Sequence, residues 1–139
     1  MSIVWAVDVA SALADLTEIS SQVEAAAVVD ADGAVLGSTL PGEPATDRLV
    51  QTGLGLFDAA TSRFGSSGRS VTQVEAALRD GSIFVVREDG LGIVARTSAG
   101  PTSGLVLYDL KTCLRAVAAA KKPKPRRRRP AKKTETADA

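Results

Sequence analysis

No histidine occurs in the 139 residues. That removes the commonest general base and the commonest metal ligand, so no Ser-His-Asp or Cys-His site can be built within one chain. A single cysteine, Cys113, cannot staple the fold, which fits a reducing compartment. Aromatic residues are only 4% of the chain, so a core has to be made from Ala, Val, Leu and Ile. No run is apolar for the ~18 residues that a membrane-spanning helix needs. The apolar opening Met1 to Val7 lacks a basic flank and stops at Asp8, too short for a signal peptide. The chain therefore reads as cytoplasmic.

What is present suits one small domain with an appendage. Hydrophobic residues make up 45%, enough for a single core. The net charge of +1 hides a split. Residues 1–120 hold 8 Lys+Arg against 14 Asp+Glu, and residues 121–139 hold 9 against 2. An acidic domain over 1–120 carries a basic tail over 121–139, and the two halves call for different partners.

Along the chain, Asp8 is placed to cap a helix running to about Ser21, with Ala12, Leu13, Leu16, Ile19 and Val23 as its apolar stripe. Glu24 to Val29 reads as a strand, Asp30-Ala31-Asp32-Gly33 as a turn, and Val35 to Ser38 as the returning strand. Pro41 and Pro44 mark a loop. A second helix over 45–64 carries Leu49, Val50, Leu54, Leu56, Phe57, Ala60 and Phe64, an apolar arc wider than one sheet contact requires. Gly53 and Gly55 inside it each cost ~1 kcal/mol relative to Ala, which suits a close approach by a neighbour. Strands follow over 71–79, 82–87 and 91–97, with turns at Asp80-Gly81 and Glu88-Asp89-Gly90. Thr102 or Ser103 caps a last helix to about Ala120. The order αββαβββα, with central strands apolar on both faces, predicts an α+β domain whose helices cover both faces of one five-stranded antiparallel sheet.

Sites of chemistry read weakly. Asp30-Ala31-Asp32-Gly33 looks like the start of a calcium loop, but loop position 12 is Pro41, not Glu. Gly53-Leu54-Gly55 lacks the third glycine of a dinucleotide fingerprint and falls within a helix. Gly65-Ser66-Ser67-Gly68-Arg69-Ser70 lacks the Gly-Lys-Ser/Thr end of a P-loop. Cys113 reads as a core hydrophobe, with a reactive thiol as the alternative. Trp5 reads as core packing, with a partner anchor as the alternative. No catalytic residue, cofactor or metal is expected, and the chain reads as a binding module rather than an enzyme.

Three passages carry a resemblance. They are Val28 to Leu36, a hairpin; Asp47 to Phe57, the middle helix; and Val85 to Ala95, a meander. In this order and spacing they resemble the Roadblock/dynein light-chain superfamily, which includes bacterial regulators of small Ras-like GTPases. Longin and profilin-like domains share parts of the topology. The resemblance implies that the first and last helices lie on one sheet face and the middle helix on the other. It also implies a homodimer or a Roadblock heterodimer in which middle helices pair and the strand 71–79 meets its mate. The interface residues would be Leu49, Gly53, Leu54, Leu56, Phe57, Ala60, Phe64, Val71, Gln73 and Glu75. The wide apolar arc and an otherwise open edge strand agree with that pairing. Members act as platforms for small GTPases or as adaptors, so a small Ras-like GTPase is the implied partner.

The tail is outside the resemblance. Lys121, Lys122, Lys124, Arg126, Arg127, Arg128, Arg129, Lys132 and Lys133 put nine cations among thirteen residues, with three prolines and no large apolar side chain. Such a segment is expected to be disordered. It serves either as a solubiliser or as a contact for an anionic surface, nucleic acid or membrane headgroups, without reading sequence.

Overall fold

The computed structural model describes residues 3–66 and 68–121, with side chains from Asp8 to Ala120 in that span. The elements are α1 (Ile3–Ile19), β1 (Val23–Asp30), β2 (Val35–Ser38), α2 (Glu43–Phe64), β3 (Gln73–Leu78), β4 (Gly81–Glu88), β5 (Leu91–Thr97) and α3 (Ser103–Lys121). All five strands form one antiparallel sheet in the order β2-β1-β5-β4-β3.

The period-2 alternation of the central strands divides the core into two layers. Val28, Phe84, Val86, Leu91, Ile93 and Ala95 meet Val9, Leu13 and Leu16 of α1 and Val106, Leu110, Leu114 and Val117 of α3. Ala25, Ala27, Val29, Ile83, Val85 and Val94 face the other way, against Leu49, Val50 and Phe57 of α2. A register shift between Val23 and Ala25 breaks the alternation, so Val23 joins the α1 and α3 layer. The helices therefore cover both faces, as the doubly apolar strands require.

The turns explain the register. Asp30 folds its carboxylate back onto the N–H groups of Asp32 and Ala34, at 2.9 and 3.0 Å, and so closes the β1–β2 turn itself. Asp89 and Gly90 both take positive φ, 56° and 76°, the geometry of a two-residue hairpin loop that follows the strand twist.

Several sequence expectations shift. Asp8 does not cap α1: the helix begins at Ile3 and Asp8 lies within it. An aspartate on the flank of a helix has the same local pattern as a cap. α2 begins at Glu43, not 45, because Pro44 sits in the first turn, where a missing N–H costs nothing. The β3–β4 hairpin closes on Leu78 and Gly81, so its loop is Arg79-Asp80 and Gly81 opens β4. β3 is shorter than expected, and Val71 precedes it. The packing expected of Trp5 falls outside the described side chains, as does the tail from 122 to 139.

Candidate interaction surface

β3 is one edge of the sheet. It pairs with β4 on one side only. The Arg87 N–H donates to the Thr72 carbonyl at 3.0 Å, and the hairpin closes at Leu78 and Gly81. The alternation of an antiparallel ladder then assigns the N–H and C=O groups of Val74 and Ala76 to β4, and those of Gln73, Glu75 and Ala77 to the open edge. Nothing in the strand blunts that edge: Gln73 to Leu78 has no proline, no lysine and no bulge. Its one charge, Glu75, is held on the α3 face by the Ser103 hydroxyl, which donates to it at 2.6 Å.

The apolar arc of α2 is mostly used within the chain. Leu49 and Phe57 are buried against the sheet, and the Arg87 guanidinium lies 5.6 Å from the Phe57 ring centre. Gly53 is where the helix comes closest to β5, since a Cβ there would collide with the Val94 side chain. Leu54 lies on the other flank, below the β1–β2 turn: a Cβ on Gly33 would stand 3.2 Å from its methyl. Leu49, Gly53 and Phe57 therefore face their own chain, because half of the arc is needed to cover a sheet whose strands are apolar on both faces, and Leu54 is half-buried. Leu56 and Ala60 are half-buried, Leu56 against the α2 layer, and Phe64 is 64% exposed. Val71 packs against the α2 layer just before the strand. Leu54, Leu56, Ala60, Phe64, Val71, Gln73 and Glu75 are thus the expected interface residues that keep some exposure, with those of α2 on one face of the sheet and Glu75 on the other. An open groove beside the N-terminal half of α2 is lined by Leu40, Arg48, Thr52, Ile83 and Arg96.

In the loop after α2, Ser66 and Arg69 exchange backbone hydrogen bonds at 3.2 and 2.8 Å, so these two N–H groups are used inside the loop. Among the described residues no three His, Cys, Asp or Glu side chains group as a metal site. No helix in the same span is long and apolar enough to cross a membrane.

Cys113 lies in the core, 4% exposed, with its thiol 3.6 Å from the Ala12 carbonyl. Burial, and then the charge of Asp15, push its pKa up from 9.0 to about 11. The native thiol should resist a thiol reagent at about pH 8 and react once the chain unfolds. A raised folded pKa leaves stability intact below pH 9.0 and removes it as the pH climbs toward 11. The loss attributable to this thiol is about 2–3 kcal/mol. Urea titrations across that range, with Cys113→Ala as reference, measure it.

No family model matches the sequence, and no curated protein does. Solved structures do. A Roadblock/LC7 domain from Streptomyces avermitilis is 20% identical, with a TM-score of 0.66 over 76% of this chain and 91% of that one. The gliding protein MglB from Thermus thermophilus is 16% identical, with a TM-score of 0.71 over 86% and 93%. A structure described as MglB with tetrameric arrangement is 15% identical, with a TM-score of 0.66 over 86% and 92%.

Proposed function

From the Roadblock/LC7 fold of this chain, and from the open edge of β3 with the apolar flank of α2 beside it, we propose a non-enzymatic dimeric interaction module. Two copies join β3 to β3 and bring their α2 helices together. The joined surface is the platform for a small Ras-like GTPase or a related signalling complex. The observation that carries this reading is the edge itself: six residues of unblunted strand, with α2 packed on β3 and its last residue, Phe64, exposed. An MglB structure with a tetrameric arrangement shows that a chain of this fold assembles. The chain alone should not turn over GTP, since its sequence offers neither a P-loop nor a histidine base.

A second reading rests on the nine cations of Lys121 to Lys133. In it the domain only dimerises, and the tails hold an anionic surface. Such binding should fall steeply with salt as counterions are released.

Affinity capture separates the two. Residues 1–121, which contain every described element, and the full chain are each used to draw partners from lysate. The platform reading expects a small GTPase on both. Capture by the full chain alone, of material released by salt or nuclease, contradicts it.

A further inference from the structure

Arg96 breaks the pattern of the strand that carries it. β5 lies between β1 and β4, inside the sheet. The period of two turns Arg96 to the same face as the buried Val94, where α2 packs. Its cross-strand neighbour on β4 is Ile83, buried in the α2 layer. A guanidinium thus stands where this face elsewhere carries Ala, Val and Ile. Its side chain is 47% exposed, and Glu24 lies 3.6 Å from its Nε. That pair is longer than a hydrogen bond, and the two terminal nitrogens make none among the described residues.

The first turns of α2 bring a second cation to the same place. Ala45, Arg48, Leu49 and Thr52 share one side of the helix at spacings of three and four. With Leu40, Ile83 and Arg96 they line the groove beside α2. Leu40, Leu49 and Ile83 make its floor aliphatic. Its charged lining is Arg48 and Arg96, with no carboxylate. Among the described residues Arg48 has neither a hydrogen bond nor an ion pair, and the Thr52 hydroxyl has no hydrogen bond. Two cations and a free hydroxyl therefore border an apolar floor, on a domain where acids outnumber bases 14 to 8.

We propose that this groove docks an acidic segment of another protein. One apolar side chain of the segment lies on Leu40, Leu49 and Ile83, and carboxylates on either side of it meet Arg48 and Arg96. Paired N–H donors suit each guanidinium to a carboxylate. The groove offers about 280 Å³ and is open to solvent. Sites that enclose a whole small ligand run to ~300–1,000 Å³, so this one suits one or two side chains of a larger partner. No aromatic ring lines it for a base to stack on, which favours a peptide over a nucleic-acid strand. The acids elsewhere on the domain repel an acidic segment from other faces. The site uses no residue of β3, so it stands whether or not the chain dimerises.

The test is fluorescence anisotropy of two labelled, end-blocked heptapeptides on the full chain, at about 150 mM salt. One is Glu-Asp-Glu-Leu-Glu-Asp-Glu, and the other has Ser for Leu. Both carry the same charge, so any hold by the basic tail is common to both. The parent should bind the Leu peptide about tenfold more tightly than the Ser peptide. Arg48→Gln with Arg96→Gln should weaken the Leu peptide about tenfold and narrow that gap. Thr52→Glu, which sets a carboxylate in the groove, should act in the same direction. Arg69→Gln with Lys111→Gln, an equal charge change away from the groove, should leave both peptides unchanged. Arg48, Thr52 and Arg96 are exposed, so their variants should keep the parent circular dichroism spectrum. Equal binding of the two peptides by the parent, or equal losses in the groove and control variants, would overturn the proposal. So would a labelled thymidine heptamer that binds as tightly as the Leu peptide and is lost with Arg48 and Arg96, since the site would then serve nucleic acid.

Discussion

Phe57→Lys is expected to unfold the protein, not to separate its subunits. From the helix pattern alone Phe57 looks like the centre of an interface. In the fold its ring is 9% exposed and packed in the α2 layer with Val85 and Val94. Removing a buried phenylalanine costs about 3–5 kcal/mol. The new ammonium would also face Arg87, whose guanidinium stands 5.6 Å from the ring centre and donates to the Ala31 carbonyl at 3.0 Å. Like charge leaves no ion pair to soften the loss. Domains of this size have about 5–15 kcal/mol in total, so much of the stability should go. A urea titration monitored by circular dichroism measures this. A variant as stable as the parent, changed only in mass, would show that Phe57 serves a partner instead of the core.

That example also marks what the sequence can show. The strands β4 and β5 and their turn were legible, because Ile83 to Val86 is apolar on both faces and Asp89-Gly90 is a hairpin loop by chemistry. The α2 arc was legible as an arc, but not its division. Which of Leu49, Leu54, Phe57 and Phe64 meet the sheet depends on where the helix crosses it and where it ends, and neither is a local property. Leu54 is partly covered by the turn at Gly33, far earlier in the chain, and Phe64 escapes burial as the last residue of its helix. The start of α1 was misplaced because Asp8 has the chemistry of a cap wherever it occurs. The open edge of β3 was reached through the family resemblance and not from local pattern, since it depends on the pairing of β1 with β5 that leaves β3 outermost.

Ala77→Pro combined with Phe64→Asp should weaken self-association strongly while leaving the fold intact. Ala77 is exposed, and its N–H faces the open edge, so proline removes a bond to a partner strand and none to β4. Phe64 is the one large apolar side chain of α2 that is exposed, and aspartate there is solvated in the free chain. Losing one edge hydrogen bond and one aromatic contact on each side of a twofold should cost about 3 kcal/mol or more of association, roughly a hundredfold or more in Kd. Thermal melting should move little, in contrast to Phe57→Lys.

The mass of the protein in solution tests the central claim most directly. Sedimentation equilibrium of the parent chain at micromolar concentration should return twice 14.3 kDa. The double variant should return 14.3 kDa under the same conditions, with an unchanged circular dichroism spectrum. A parent chain that stays at 14.3 kDa across that range would contradict the dimeric module and leave the edge of β3 without its proposed role.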